Sequence, residues 1–291
     1  KAADALLAGS NVRVSSGGTL DIDASGGAFT LNTLALEIGG AGSAGQGALT
    51  GTGLASYAGP VTLNSDSSIG GSGTLTLNGA LHESGGSWKM SKVGSGTLVL
   101  GSNASDYSGG TQISEGRLGM GVASALPGLG ELSLLTGTFL ALNDKAQSIG
   151  PLSGSGGRVV LGTATLTVTT PSGSTGDFSG TIEGSGSFIK EGPGTQVLSG
   201  SNTGYSGVTE VNGGTLSAAG SNALGGGDVV VGAGAALGVA NVSLNGPGTI
   251  RLAGTLLGTG NAAYDGTVTL TGDATVGGTG ALALGGAVQE S

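Results

Sequence analysis

The segment Lys92–Gly128 recurs without a gap as Lys190–Gly226, 98 residues further on, with the same residue at 15 of 37 positions. The identities fall at Lys92, Gly94, Gly96, Thr97, Val99 and Leu100, then at Tyr107, Ser108, Gly109, Thr111, Gly116 and Leu118, and finally at Ala125, Leu126 and Gly128. A second pair, Tyr57–Ser84 and Tyr264–Ser291, matches at 15 of 28 positions at a shift of 207. Biased composition inflates agreement at Gly, Thr and Leu. It does not place Tyr, Lys, Asp and Glu in register. A chain made of such units buries apolar surface by stacking each unit on the next, which is how a solenoid folds.

Within the units, short stretches alternate strictly. In Thr163-Ala-Thr-Leu-Thr-Val-Thr169 the odd positions are threonine and the even ones apolar. Side chains of a strand point alternately to its two faces, so Ala164, Leu166 and Val168 are expected inside and the threonines outside. The same period sends Leu34, Leu36 and Ile38 inward, and likewise Leu75 and Leu77, Val268 and Leu270, and Leu282 and Leu284. Each run stops after a few residues at a glycine-rich break such as Gly39-Gly40, Gly70-Gly71 or Gly225-Gly-Gly227, where a tight corner needs positive φ. Only Ala2–Leu7 resembles a helical stretch. A parallel β-helix coil of three short strands and three turns takes roughly 20 residues, so this length predicts about 14 coils. The rival is a β-sandwich, which needs antiparallel hairpins and usually a more aromatic core.

Composition narrows the function as well as the fold. Glycine fills 66 of 291 positions, while 9% of residues are charged and 3% aromatic. That glycine content opposes a helical domain, and the aliphatic share opposes disorder. Six prolines do not make a collagen, and no apolar run approaches the roughly 18 residues of a membrane-spanning helix. A net charge of −9, with nine basic residues scattered singly, argues against nucleic acid as a partner. The absence of cysteine removes disulfides, thiolate metal sites and cysteine nucleophiles together. The chain opens at Lys1 without an initiator Met and reads as a piece of a longer protein.

Catalytic constellations are scarce. His82 is the sole histidine, so neither a two-histidine zinc site nor a presented Ser-His-acid set is expected, and it reads as a turn or surface residue. Gly40-Ala-Gly42-Ser-Ala-Gly45 fits a dinucleotide pattern, but glycine-rich chains produce such matches by chance, and the residues that follow cannot open the required helix. It reads as a glycine corner, and no cofactor is expected. Asp21 and Asp23 flank Ile22 and so share an outward face, which suits acid–base chemistry or weak calcium binding, or simply a face kept soluble by charge. Asp66, Asp106, Asp177, Asp228, Asp265 and Asp273 mostly sit beside glycine and read as turn residues. Tyr107 and Tyr205 recur at one repeat position, with Tyr57 and Tyr264 as another pair; they read as rings over coil corners with wet hydroxyls, or as a ligand ladder. Trp88, beside Lys89 and Lys92, reads as a cap on a turn or as a contact for a glycan or partner.

The run Lys92-Val-Gly-Ser-Gly-Thr-Leu-Val-Leu-Gly-Ser-Asn, continued by Tyr107-Ser-Gly-Gly-Thr111 and Gly116-Arg-Leu118, resembles the passenger-associated repeat of bacterial autotransporters. A second copy runs from Lys190-Glu-Gly-Pro-Gly-Thr195 through Tyr205-Ser-Gly207 to Gly213-Gly-Thr-Leu216. The likeness covers residues 57–291, with a partial unit restarting at 264, whereas 1–56 share composition and not motif. The resemblance implies an all-β, right-handed parallel β-helix exported by type V secretion. It would be displayed at the cell surface or secreted, with its own C-terminal outer-membrane β-barrel as translocator. It further implies a non-enzymatic stalk and adhesin or virulence-factor scaffold that meets a host-surface protein or glycan. Two alternatives remain at this point: a stalk carrying an upstream enzyme such as a subtilisin-like protease, and a polysaccharide-processing β-helix. Because Glu290-Ser291 aligns with Glu83-Ser84, the chain is expected to continue with a Lys-x-Gly-x-Gly-Thr segment.

Overall fold

A computed structural model describes residues 11–32 and 35–291. Leu34 and the stretch Ala2–Leu7 lie outside the described residues. The chain makes about 14 turns of β-solenoid, divided between two compact units, Lys1–Lys145 and Ala146–Ser291.

In the first unit the strands Leu49–Tyr57, Thr74–Leu77, Thr97–Leu100, Arg117–Met120 and Phe139–Ala141 pair in parallel, each with the next. Their register aligns Ala55, Leu75, Leu98, Leu118 and Leu140 as one inward column, each no more than 1% exposed. A second column of the same unit runs Ile69, Lys92, Ile113, Leu134. The second unit repeats the device. Leu166, Phe188, Thr209, Val229, Ile250 and Val268 form one column, and Val168, Lys190, Val211, Val231 and Leu252 run beside it. Each leucine or valine taken fully out of water in such a column contributes roughly 1.5–3 kcal/mol. A parallel neighbour on each side also satisfies the backbone groups of every inner coil.

Every strand pairing described is parallel, which removes the sandwich. The alternation holds where it was strictest: Ala164, Leu166 and Val168 are buried, at 6%, 0% and 0% exposure, between outward threonines. Val268 is buried, but Leu270, Leu282 and Leu284 are only half-buried, because they face inward in the last coils of the chain, where fewer side chains stack on them. Gly40-Ala-Gly42-Ser-Ala-Gly45 is a corner containing the short turn Ser43–Gly45. Of the aspartates read as turn residues, Asp66 and Asp177 instead lie within the strands Val61–Gly70 and Thr175–Phe178. No helix among the described residues is long and apolar enough to cross a membrane.

Candidate functional site

Asp21 and Asp23 project from one face of the strand Leu20–Leu31, with Ile22 buried between them, as the alternation requires. Both are engaged. Thr50 Oγ1 of the adjacent coil donates to Asp21 Oδ1 at 2.7 Å, and the Ser25 amide donates to Asp23 Oδ1 at 2.9 Å. These carboxylates therefore tie down neighbouring chain. No group of three or more His, Asp or Glu side chains arranged to hold a metal ion occurs among the described residues.

His82 sits in the strand Leu81–Glu83 and not in a turn, with its Nδ1 2.8 Å from Asp106 Oδ1. The two side chains are 40% and 66% exposed, so the contact is open to water and contributes little. Beside it, Glu83 accepts hydrogen bonds from the Trp88 amide at 2.8 Å, the Ser108 amide at 2.9 Å and Ser108 Oγ at 2.6 Å. Partial burial pushes the Glu83 carboxyl upward, but the bonds from Ser108 and Trp88 outweigh it and hold the group below the ordinary glutamate value. Trp88 is half-buried, and its Nε1 donates to Ser84 O at 2.8 Å, closing the loop from Glu83 to Met90. The next residue, Lys89, gives its amide to Asp66 Oδ1 of the coil below.

Tyr107 and Tyr205 lie inside the coil, and their hydroxyls, expected to be wet, are bonded within the chain. They are 0% and 2% exposed. The Tyr107 hydroxyl meets Thr111 Oγ1 at 2.6 Å, while Tyr205 Oη donates to Val208 O at 2.7 Å and accepts from the Phe188 amide at 3.0 Å. Tyr57 and Tyr264 are equally buried, and Tyr264 Oη donates to Gly248 O at 2.9 Å. A ring at a coil corner removes a large apolar surface from water, and a threonine hydroxyl at Tyr107 or backbone groups at Tyr205 and Tyr264 supply the partner the phenol needs. Burial pushes the Tyr57 phenol up to about 12 and raises the other three as well.

The residues that sequence reasoning missed are Lys92 and Lys190, 1% and 0% exposed within the aliphatic columns. Lys92 Nζ donates to Val93 O at 2.8 Å, Gly94 O at 2.6 Å and Glu115 O at 3.1 Å. Lys190 Nζ donates to Glu191 O at 2.7 Å, Gly192 O at 2.8 Å and Gly213 O at 3.0 Å. An ammonium carries three protons, and each meets one carbonyl. The third carbonyl comes from the next coil, so the lysine clamps two coils together at a corner. Gly116 and Gly214 complete that corner with φ of +65° and +59°. A Cβ on Gly116 would stand 2.5 Å from both Gly94 O and Gly96 O, and one on Gly214 would meet Gly194 O and Gly192 O. Burial pushes both ammonium groups down to about 8, opposed by Glu115 at Lys92 and by Glu191 at Lys190.

Two buried amides serve the same end in the second unit. Gln196 accepts from the Leu152 amide at 3.1 Å and donates to Leu152 O at 2.8 Å, and Asn202 links the Ile182 amide to Ala223 O.

Residues 90–119 and 188–218 match the family model of the passenger-associated-transport-repeat. Over 212 residues, 68% of this chain, the sequence is 36% identical to the adhesin BmaC autotransporter of Brucella suis biovar 1 (strain 1330). The aligned stretch spans 6% of that protein's length. No solved structure matches.

Proposed function

Since this chain is an autotransporter passenger domain built on passenger-associated-transport-repeats, we propose that it is a catalytically inert stalk that holds adhesive surface at or beyond the bacterial cell surface. A C-terminal β-barrel of the parent protein would serve as its translocator. One observation carries the inert reading: the groups best suited to chemistry are tied into the scaffold. Asp21 and Asp23 hold Thr50 and Ser25, His82 faces Asp106, and Glu83 is saturated by Ser108 and Trp88. The adhesive part of the reading is supported by the name of the relative. Beads coated with the purified chain should adhere to cultured host cells above albumin-coated controls, while the same preparation releases no reducing sugar from polysaccharides. Sugar release that disappears on Asp21→Asn would replace the stalk reading with a polysaccharide-processing one. Beads no stickier than albumin would remove the adhesive half.

A further inference from the structure

An open recess of about 580 Å³ lies over the corner of the first repeat copy. Ser95, Ser114, Glu115, Arg117, Thr136 and Phe139 line it. Arg117 and Phe139 occupy adjacent coils in direct register and point outward, and Arg117 pairs on its other side with Thr97. The guanidinium is steadied by Asn143, whose Oδ1 accepts from Arg117 Nη2 at 3.2 Å while its own Nδ2 donates to Met120 O at 3.0 Å.

The second copy provides an internal control for what the fold itself demands. At the register of Thr97, Arg117 and Phe139 it carries Thr195, Thr215 and Ala236. At the corner, Pro193, Asn212 and Gly213 stand where the first copy has Ser95, Ser114 and Glu115. The same coil geometry is thus built without the ring, the guanidinium, the carboxylate or the serine hydroxyls. Stacking does not explain their presence in the first copy.

We propose that this recess is a saccharide subsite that takes one neutral pyranose residue of a glycan. The inference rests on the adhesive reading above and names its ligand chemistry. A half-buried phenyl ring offers a flat apolar platform for the C–H face of a sugar, and the planar carboxylate and guanidinium with the flanking hydroxyls offer donors and acceptors for its rim. The volume lies in the range of small-ligand sites. Glu115 and Arg117 cancel in charge, and the chain carries −9, so an acidic sugar or a phosphate is disfavoured. A peptide added as a strand finds no edge here, because the strand Arg117–Met120 is already paired on both sides.

The full chain should give saturation-transfer NMR signals with at least one of methyl glucoside, methyl galactoside, methyl mannoside and N-acetylglucosamine, and none with N-acetylneuraminic acid. Phe139→Ala and Arg117→Thr, the residues of the second copy, should each cut that signal by about tenfold. Their thermal unfolding should remain within a few degrees of the parent's; should Phe139→Ala unfold the chain, Arg117→Thr, a change at an exposed position, decides alone. No signal from any neutral glycoside, a signal that survives both changes together, or preference for the acidic sugar overturns the subsite. The two readings fail separately. Adherent beads from a chain that gives no signal with any neutral glycoside leave the adhesive reading and remove the subsite. Glycoside binding without bead adherence does the reverse.

Discussion

The two copies of the repeat differ most where they face water and least at their buried positions. Lys92 and Lys190 bind the same three carbonyls at the same offsets, one residue on, two residues on, and 23 residues on in the next coil. The glycines at 116 and 214 take the same left-handed corner. Outside, Arg117 and Phe139 give way to Thr215 and Ala236. The repeat therefore specifies a buried clamp and leaves the outer face free to vary. One interior difference stands out: Leu98 of the first copy, 1% exposed, becomes Gln196, 0% exposed, in the second. Gln196 lies beside Gly176, where a Cβ would run into its amide, and that gap lets it reach Leu152.

The clamp is the sharpest place to test the likeness. Lys92→Met and Lys190→Met keep an apolar stem without the ammonium and strand three carbonyls in each case, so each should cost about 3 kcal/mol or more in urea unfolding. The two losses should agree to within about 1 kcal/mol if the copies are built alike. A variant at either position that is more stable than the parent would show that the ammonium is tolerated and not required. Next in size, Gly116→Ala and Gly214→Ala put a Cβ against carbonyl oxygens at positive φ, and each should cost about 2 kcal/mol by the same measurement. Equal stability of the Gly116→Ala chain and the parent would deny that the corner is tight.

The Gln196 difference predicts an asymmetry of smaller size. Gln196→Leu gives the second copy the residue of the first, but it leaves the Leu152 amide and carbonyl without their partner and should cost about 1–2 kcal/mol. If unfolding is unchanged, the two bonds to Leu152 contribute nothing net, and the copies are interchangeable inside as well.

How far the interior was legible depended on which residue occupied the inward position. Leu166 and Val168 announced themselves, because apolar side chains alternating with threonine have one sensible arrangement in a strand. Asp21 and Asp23 were placed correctly for the same reason. Lys92 was not, although the period was there to be read. Met90 and Lys92 flank the outward Ser91, and Leu198, two residues after Gln196, marks that amide as inward too. A lysine or glutamine is assigned to the surface by its cost of burial, and that cost is offset in part once the corner presents carbonyls at hydrogen-bonding distance. Those carbonyls come from turns up to 23 residues away, which no local pattern encodes. The tyrosines were misplaced for a related reason: Thr111 for one, and the backbone of Phe188 and Val208 for the other, satisfy hydroxyls that were expected to need water.

The last comparison is one of slope, and it asks whether the two lysines also titrate alike. Both ammonium groups are pushed down to about 8 from an ordinary 10.5. Between those values the unfolded chain holds more protons than the folded one, so stability should rise with pH from about 8 toward 10.5. The tyrosines act in the opposite sense. Their phenols are raised above the ordinary value of 10, Tyr57 to about 12, so the stability they contribute is complete below pH 10 and is lost as pH climbs through the folded values. Unfolding free energy measured across this range should therefore climb above pH 8, peak near 10 and then fall. Replacing one lysine by Met should halve the climb and leave the fall, whichever copy is changed, and Tyr57→Phe should soften only the fall. A profile flat from pH 8 to 10 would mean that three carbonyls hold each ammonium charged against its burial, and a climb lost with one lysine alone would mean that the two clamps are not equivalent.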